Sequence, residues 1–86
     1  MKYNTPILLY YVDPFIFIIE QVFIDFSYKE DDTIFYISKE GAYLQESNLF
    51  ETLVEARMDA LKKLDKFYIE KQQEILYSKP RPEDDN

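Results

Sequence analysis

The sequence predicts an α+β domain, a four-stranded antiparallel β-meander followed by one long C-terminal α-helix packed on one face of the sheet. Three observations carry this reading. Up to Glu46 the chain falls into runs of β-branched and aromatic residues separated by turn-forming clusters. At Thr52 and Glu55 a capping signal marks a change of period. From there to Tyr77 apolar residues recur at steps of three and four.

The first strand is "PILLYYV", Pro6 to Val12, and Asp13–Pro14 breaks the chain after it, because a proline disfavours helical backbone in the residue before it. The second is "FIFIIEQVFIDFSY", Phe15 to Tyr28. From Gln21 it alternates, with Val22, Ile24, Phe26 and Tyr28 expected on one face and Gln21, Asp25 and Ser27 on the other; Phe23 breaks the pattern. The earlier "FIFII" is apolar on both sides, so it is expected to be covered twice, by the helix and by a partner. Glu20 shares the parity of Val22 and Ile24. A buried carboxylate needs a partner, so a β-bulge at Glu20 and Gln21 that returns it to solvent is the expectation, with a functional carboxylate as the alternative.

"KEDD", Lys29 to Asp32, is a polar turn, and "TIFYIS", Thr33 to Ser38, is the third strand. Gly41 supplies the positive φ of a short hairpin loop, so a fourth strand runs from Ala42 to Glu46. The helix starts at the capping box of Thr52 and Glu55. Its apolar stripe comprises Leu53, Ala56, Ala60, Leu61, Leu64, Phe67, Tyr68, Ile75 and Leu76. Such a helix spans about 39 Å, against about 17 to 20 Å for an ordinary strand, so its second half outruns the sheet. Residues 1–78 form one domain, and 79–86, "KPRPEDDN", read as a disordered acidic tail.

Composition removes many chemistries. The 86 residues contain neither cysteine nor histidine, so thiolate or imidazole metal sites, disulfides and the usual triads are excluded, and the single glycine rules out glycine-rich phosphate loops. No carboxylate constellation stands out, and no enzyme activity or cofactor is expected. The formal charge of -7 disfavours direct nucleic-acid binding. Asp13, Glu20 and Asp25 interrupt the apolar stretch Ile7 to Phe26, which argues against a membrane span, since each acid near mid-bilayer costs about 2.5 to 3.5 kcal/mol. Lys2 alone is too thin a basic region for a signal peptide, and a cytoplasmic location is expected.

Two surfaces are candidates for binding. Glu51, Glu55 and Asp59, with Glu70 and Glu74 further along the helix, form an acidic strip suited to a protein partner with a basic surface. If that surface normally holds nucleic acid, the protein acts as a partial mimic of it. Phe15, Phe17 and Ile19 together with Phe67, Tyr68, Ile75 and Leu76 are the expected self-association residues of a homodimer.

The run "LFETLVEARMDALKKL", Leu49 to Leu64, resembles the helix start of small phage and mobile-element accessory proteins, in which a β-meander leads into a Thr-capped amphipathic helix. Val54 stands where a second acid is common in that pattern. The resemblance covers about the last half of the chain and transfers no catalytic residue. It implies a non-enzymatic protein-binding module, an inhibitor of a host nucleic-acid-handling or defence protein. The alternative is a structural subunit of a larger assembly such as a phage particle.

Overall fold

The computed structural model of the chain describes residues 2–78; the tail expected over 79–86 lies outside the described residues. The elements are β1 (Ile7–Val12), β2 (Ile19–Glu30), β3 (Thr33–Ser38), β4 (Tyr43–Gln45), a 3-10 turn over Glu46–Asn48, β5 (Leu49–Phe50) and α1 (Leu53–Tyr77). The strands form one antiparallel sheet in the order β4-β3-β2-β1-β5. The α+β class and the meander of the first four strands follow the sequence reading. The fifth strand does not, since two residues are too few to show an alternating period.

That fifth strand reshapes the sheet. Gln45 and Leu49 lie on strands at opposite edges, yet only 3 residues join them. In a flat sheet four inter-strand steps would separate those edges by about 19 Å, whereas four Cα–Cα steps reach about 14 Å at most. The sheet must therefore curl, which encloses a core on its inner face. Tyr3, Leu9, Ile24, Tyr36, Leu44 and Leu49 are buried together there, with Ile7, Tyr11, Val22 and Ile34 packed against them.

The N-terminal segment plugs this interior through a polar network. The Tyr3 hydroxyl donates to the Leu49 carbonyl at 2.9 Å, and the Tyr3 N–H donates to the Tyr36 hydroxyl at 3.0 Å. Tyr36 in turn donates to Glu46 Oε2 at 2.6 Å, and the Lys2 N–H donates to the same oxygen at 3.0 Å. Every buried hydroxyl in this chain of contacts is satisfied, which removes the desolvation cost of placing two phenols inside. Those two bonds from the Tyr36 hydroxyl and the Lys2 amide hold the Glu46 carboxyl below its ordinary value. Burial, followed by the Glu46 bond, pushes the Tyr36 phenol up.

Three expectations need correction. Residues 15–18 are loop, not strand: Asp13 Oδ1 accepts from the Phe15 and Ile16 N–H groups at 2.8 and 3.1 Å. The Asp13 carbonyl also accepts from the Phe17 N–H at 2.9 Å, and Phe17 takes φ 62°. This local bonding to Asp13 competes with strand pairing and wins over the β propensity of the phenylalanines. The bulge lies at Asp25, not at Glu20 and Gln21, because Ile24 pairs with Ser38 and Phe26 with Ile37. Glu20 pairs with Tyr11 and is exposed because it stands at the open end of the curled sheet.

The third correction concerns the cap of the helix, whose overhang beyond the sheet follows the sequence reading. Its start follows the sequence, since the Glu55 N–H donates to Thr52 Oγ1 at 3.2 Å; the Glu55 carboxylate, however, accepts from the Thr52 hydroxyl at 2.9 Å rather than from a backbone amide. The helix meets β1, β5 and β2, its partly or fully buried positions end at Lys63, and further along Phe67 meets Phe17 of the β1–β2 loop by its ring. Ala56 is its one fully buried residue. The Asp59–Lys63 pair at 2.6 Å, with Lys63 also donating to Asn48 at 2.9 Å, ties the helix to the 3-10 turn. Beyond that it projects: the radius of gyration is 17.7 Å, against about 12 Å for a compact chain of this length.

Candidate interaction surfaces

The Asp25 bulge builds a surface that the alternation alone hides. Val22 and Ile24 point inward, but the extra residue reverses the phase of everything after it, so Phe26 and Tyr28 point outward. The four residues expected on one face are thus divided between two. Outward with them come Leu8 and Phe23, which pair across β1 and β2, and Phe35 and Tyr43 on β3 and β4. Tyr28 stacks on Phe35 with ring centroids 5.6 Å apart and meets Tyr43 edge-on at 6.1 Å.

This outer face stays largely in solvent. Leu8 is 50% exposed, Phe23 43%, Phe26 53% and Tyr43 67%. Two places on it are covered: Val12, of the same parity as Leu8, and Ala56 are both fully buried, and Ile37, which pairs with Phe26 and Tyr43, is 5% exposed; none of the three belongs to the inner cluster. Sequence reasoning missed this patch. Its signal was Phe23, whose departure from the alternation was the mark of an apolar outer face.

The expected self-association residues divide. Phe17 and Phe67 meet each other within the chain, edge-on at 5.7 Å, joining the β1–β2 loop to α1. Ile19 is half-buried at the start of β2. Phe15 stands at the loop tip, 85% exposed, while Tyr68, Ile75 and Leu76 are exposed along the projecting helix.

The acids of the expected strip have local roles. Glu55 belongs to the helix cap, Asp59 pairs with Lys63, and Glu74 pairs with Lys71 at 3.0 Å. Glu51 is exposed ahead of the helix. Glu70 borders a cleft of about 270 Å³ with Phe17, Phe67, Lys63 and Lys66, so basic side chains interleave with the acids there.

A second cleft, about 340 Å³, opens at the end of the curled sheet among Tyr11, Glu20, Val22, Ser38 and Leu44. Burial and the negative charges of Asp13 and Glu20 raise the Tyr11 phenol above its usual range, so it stays a neutral hydrogen-bonding group. Among the described residues no group of three or more acidic side chains converges as metal ligands would. No helix among them is long and apolar enough to cross a membrane.

A curled five-stranded sheet with a projecting helix, an apolar outer face and a negative net charge defines the chain as a small α+β protein. Compared with known proteins, it matches no protein family, no curated protein and no solved structure.

Proposed function

We propose that the protein is a non-enzymatic, acidic protein-binding module that needs no cofactor and acts as a phage-type inhibitor of a host nucleic-acid-handling or defence protein in the cytoplasm. The observation that supports this reading is the outer sheet face, where Leu8, Phe23, Phe26 and Tyr43 are exposed side by side on a rigid scaffold. Aromatic side chains on rigid strands give large contact area with little entropy to lose, the usual composition of a binding hot spot. The charge of -7 supplies long-range attraction to a basic partner surface and repulsion from nucleic acid itself.

The test is affinity purification from the native host followed by mass spectrometry, run in parallel with Phe23→Asp and Phe26→Asp chains. One defined host protein retained by the native chain and lost from both variants is the expected result. Recovery of the chain alone defeats the inhibitor reading. Reversing Glu51 and Glu70 should weaken retention in a salt-dependent way, as rim charges do.

A second reading, a structural subunit that self-associates as a homodimer or within a larger assembly, is favoured by the helix. Tyr68, Ile75 and Leu76 are 61%, 76% and 73% exposed on an element that leaves its own sheet behind. Such a subunit co-purifies with itself or with particles rather than with a host enzyme.

A further inference from the structure

The helix has two apolar sides, and the fold uses one of them. At about 100° per residue, Ala56, Ala60 and Phe67 fall on the side that meets the sheet and the β1–β2 loop. Val54, Leu61, Tyr68 and Ile75 follow one another at intervals of seven along a second line, which turns from about 140° away from that side at Val54 to about 80° at Ile75. They are 64%, 63%, 61% and 76% exposed, and Met58 between the first two is 57% exposed. This second line begins in the first turn, where the sheet already supports the other side, so it is not a by-product of the overhang.

A repeat of seven held across the whole helix is the period of a two-helix seam. Taking Val54, Leu61, Tyr68 and Ile75 as one position of the repeat, the alternate position is filled by Met58, Asp65 and Gln72. The polar residues decide the orientation. In a parallel pair identical positions meet, which sets Asp65 against Asp65 and brings Arg57 beside Lys62 of the other copy. In an antiparallel pair the two positions meet each other: Met58 faces Ile75, Leu61 faces Gln72, and Asp65 faces Tyr68, whose hydroxyl can donate to the carboxylate. No like charges meet on either flank, where Leu64 comes beside Lys71 and Lys62 beside Ile69.

Charge allows a second copy as the occupant. Along α1 the acids Glu55, Asp59, Asp65, Glu70 and Glu74 are balanced by Arg57, Lys62, Lys63, Lys66 and Lys71, so the net negative charge of the chain lies off the helix. We propose that two copies of this chain pair antiparallel through the helix face turned away from the sheet, with Asp65 of each beside Tyr68 of the other. The two sheets then lie at opposite ends of the helix pair, each on the outside, and do not collide. The proposal rests on the self-association reading above and specifies its face and its orientation.

Sedimentation of the full chain should give twice 10.4 kDa, and the double variant Leu61→Glu, Tyr68→Glu should sediment as a single chain with an unchanged circular dichroism spectrum, since both side chains are exposed in the isolated fold. Orientation is read by disulfides, because the native chain has no cysteine. Met58→Cys combined with Ile75→Cys should oxidise to a covalent dimer; within one helix these positions are about 26 Å apart and cannot bond. Either substitution alone should not cross-link. A native chain that stays monomeric at high concentration overturns both this proposal and the self-association reading. A dimer indifferent to Leu61→Glu, Tyr68→Glu overturns the seam and leaves self-association standing, and ready cross-linking of either single-cysteine chain overturns the antiparallel arrangement.

Discussion

On the inner face of the sheet Leu9 and Ile24 are fully buried, while Leu8 and Phe23 on the outer face remain about half exposed, although Leu8 adjoins Leu9 and Phe23 adjoins Ile24 in the chain. Hydrophobicity does not separate the two sets. What separates them is the curl, which turns one face in on itself and leaves the other convex, with a helix start too short to cover it. The inner face accordingly carries the stability and the outer face is free to carry recognition.

The sharpest way to break this division is to insert one alanine between Asp25 and Phe26. With the bulge kept at one residue, the alanine takes the outward place of Phe26 and every position from Phe26 onward exchanges faces, sending Phe26 and Tyr28 toward the interior and Ser27 out. Loss of the cooperative thermal transition is expected, an effect larger than about 4 kcal/mol. Replacing Asp25 by Ala, which keeps the residue count at an exposed position, should stay within about 0.5 kcal/mol.

Truncation compares the faces directly. Leu9→Ala should cost about 2 to 5 kcal/mol in chemical denaturation, the range for a fully buried leucine, and Leu8→Ala far less. Equal losses would mean that the outer face is covered in solution.

The inner network is probed by Tyr36→Phe, which leaves the Tyr3 N–H and the Glu46 carboxylate without their shared hydroxyl and should cost about 1 to 3 kcal/mol. Its pH signature has a defined sign. Glu46 has a lower pKa folded than unfolded, so its contribution is present above the ordinary value of 4.5 and is lost as pH falls through that value toward the folded one. Tyr36 has a raised pKa, so its contribution is present below its ordinary value of 10.0 and is lost as pH rises beyond it. In Tyr36→Phe the acid-side loss should shrink, as measured by melting temperature between pH 3 and 6.

The smallest effect on stability belongs to the outer face. Phe26→Ser should change unfolding free energy by no more than about 0.5 kcal/mol while abolishing retention of the partner. A stability loss comparable to that of Leu9→Ala would place Phe26 in the core and remove the recognition surface.

Much of this was legible in the residues. The first four strands, though not β5, announce themselves through β-branched and aromatic runs, Gly41 takes the expected positive φ of 87°, and Thr52 with Glu55 marks the helix start. The candidate surfaces were less legible. A bulge costs no unusual residue, since Asp25 is an ordinary polar residue on a strand, so the exchange of faces at Phe26 leaves no local trace. The acidic strip reads as continuous on a helix diagram, yet whether Asp59 faces solvent or Lys63 depends on where Asn48 brings the 3-10 turn.

Local chemistry thus determined the elements: propensity and turn residues act within a few positions of one another, and helix capping spans three. The sequence also determined the balance of charge along α1 and the interval of seven in its outer line. Only the tertiary structure decided which face is inside, because that depends on a three-residue connection drawing β4 and β5 together and on Tyr3 reaching from the N-terminus to Tyr36 and Leu49. Those contacts join positions more than thirty residues apart, and no short-range pattern in a chain encodes a closure of that length.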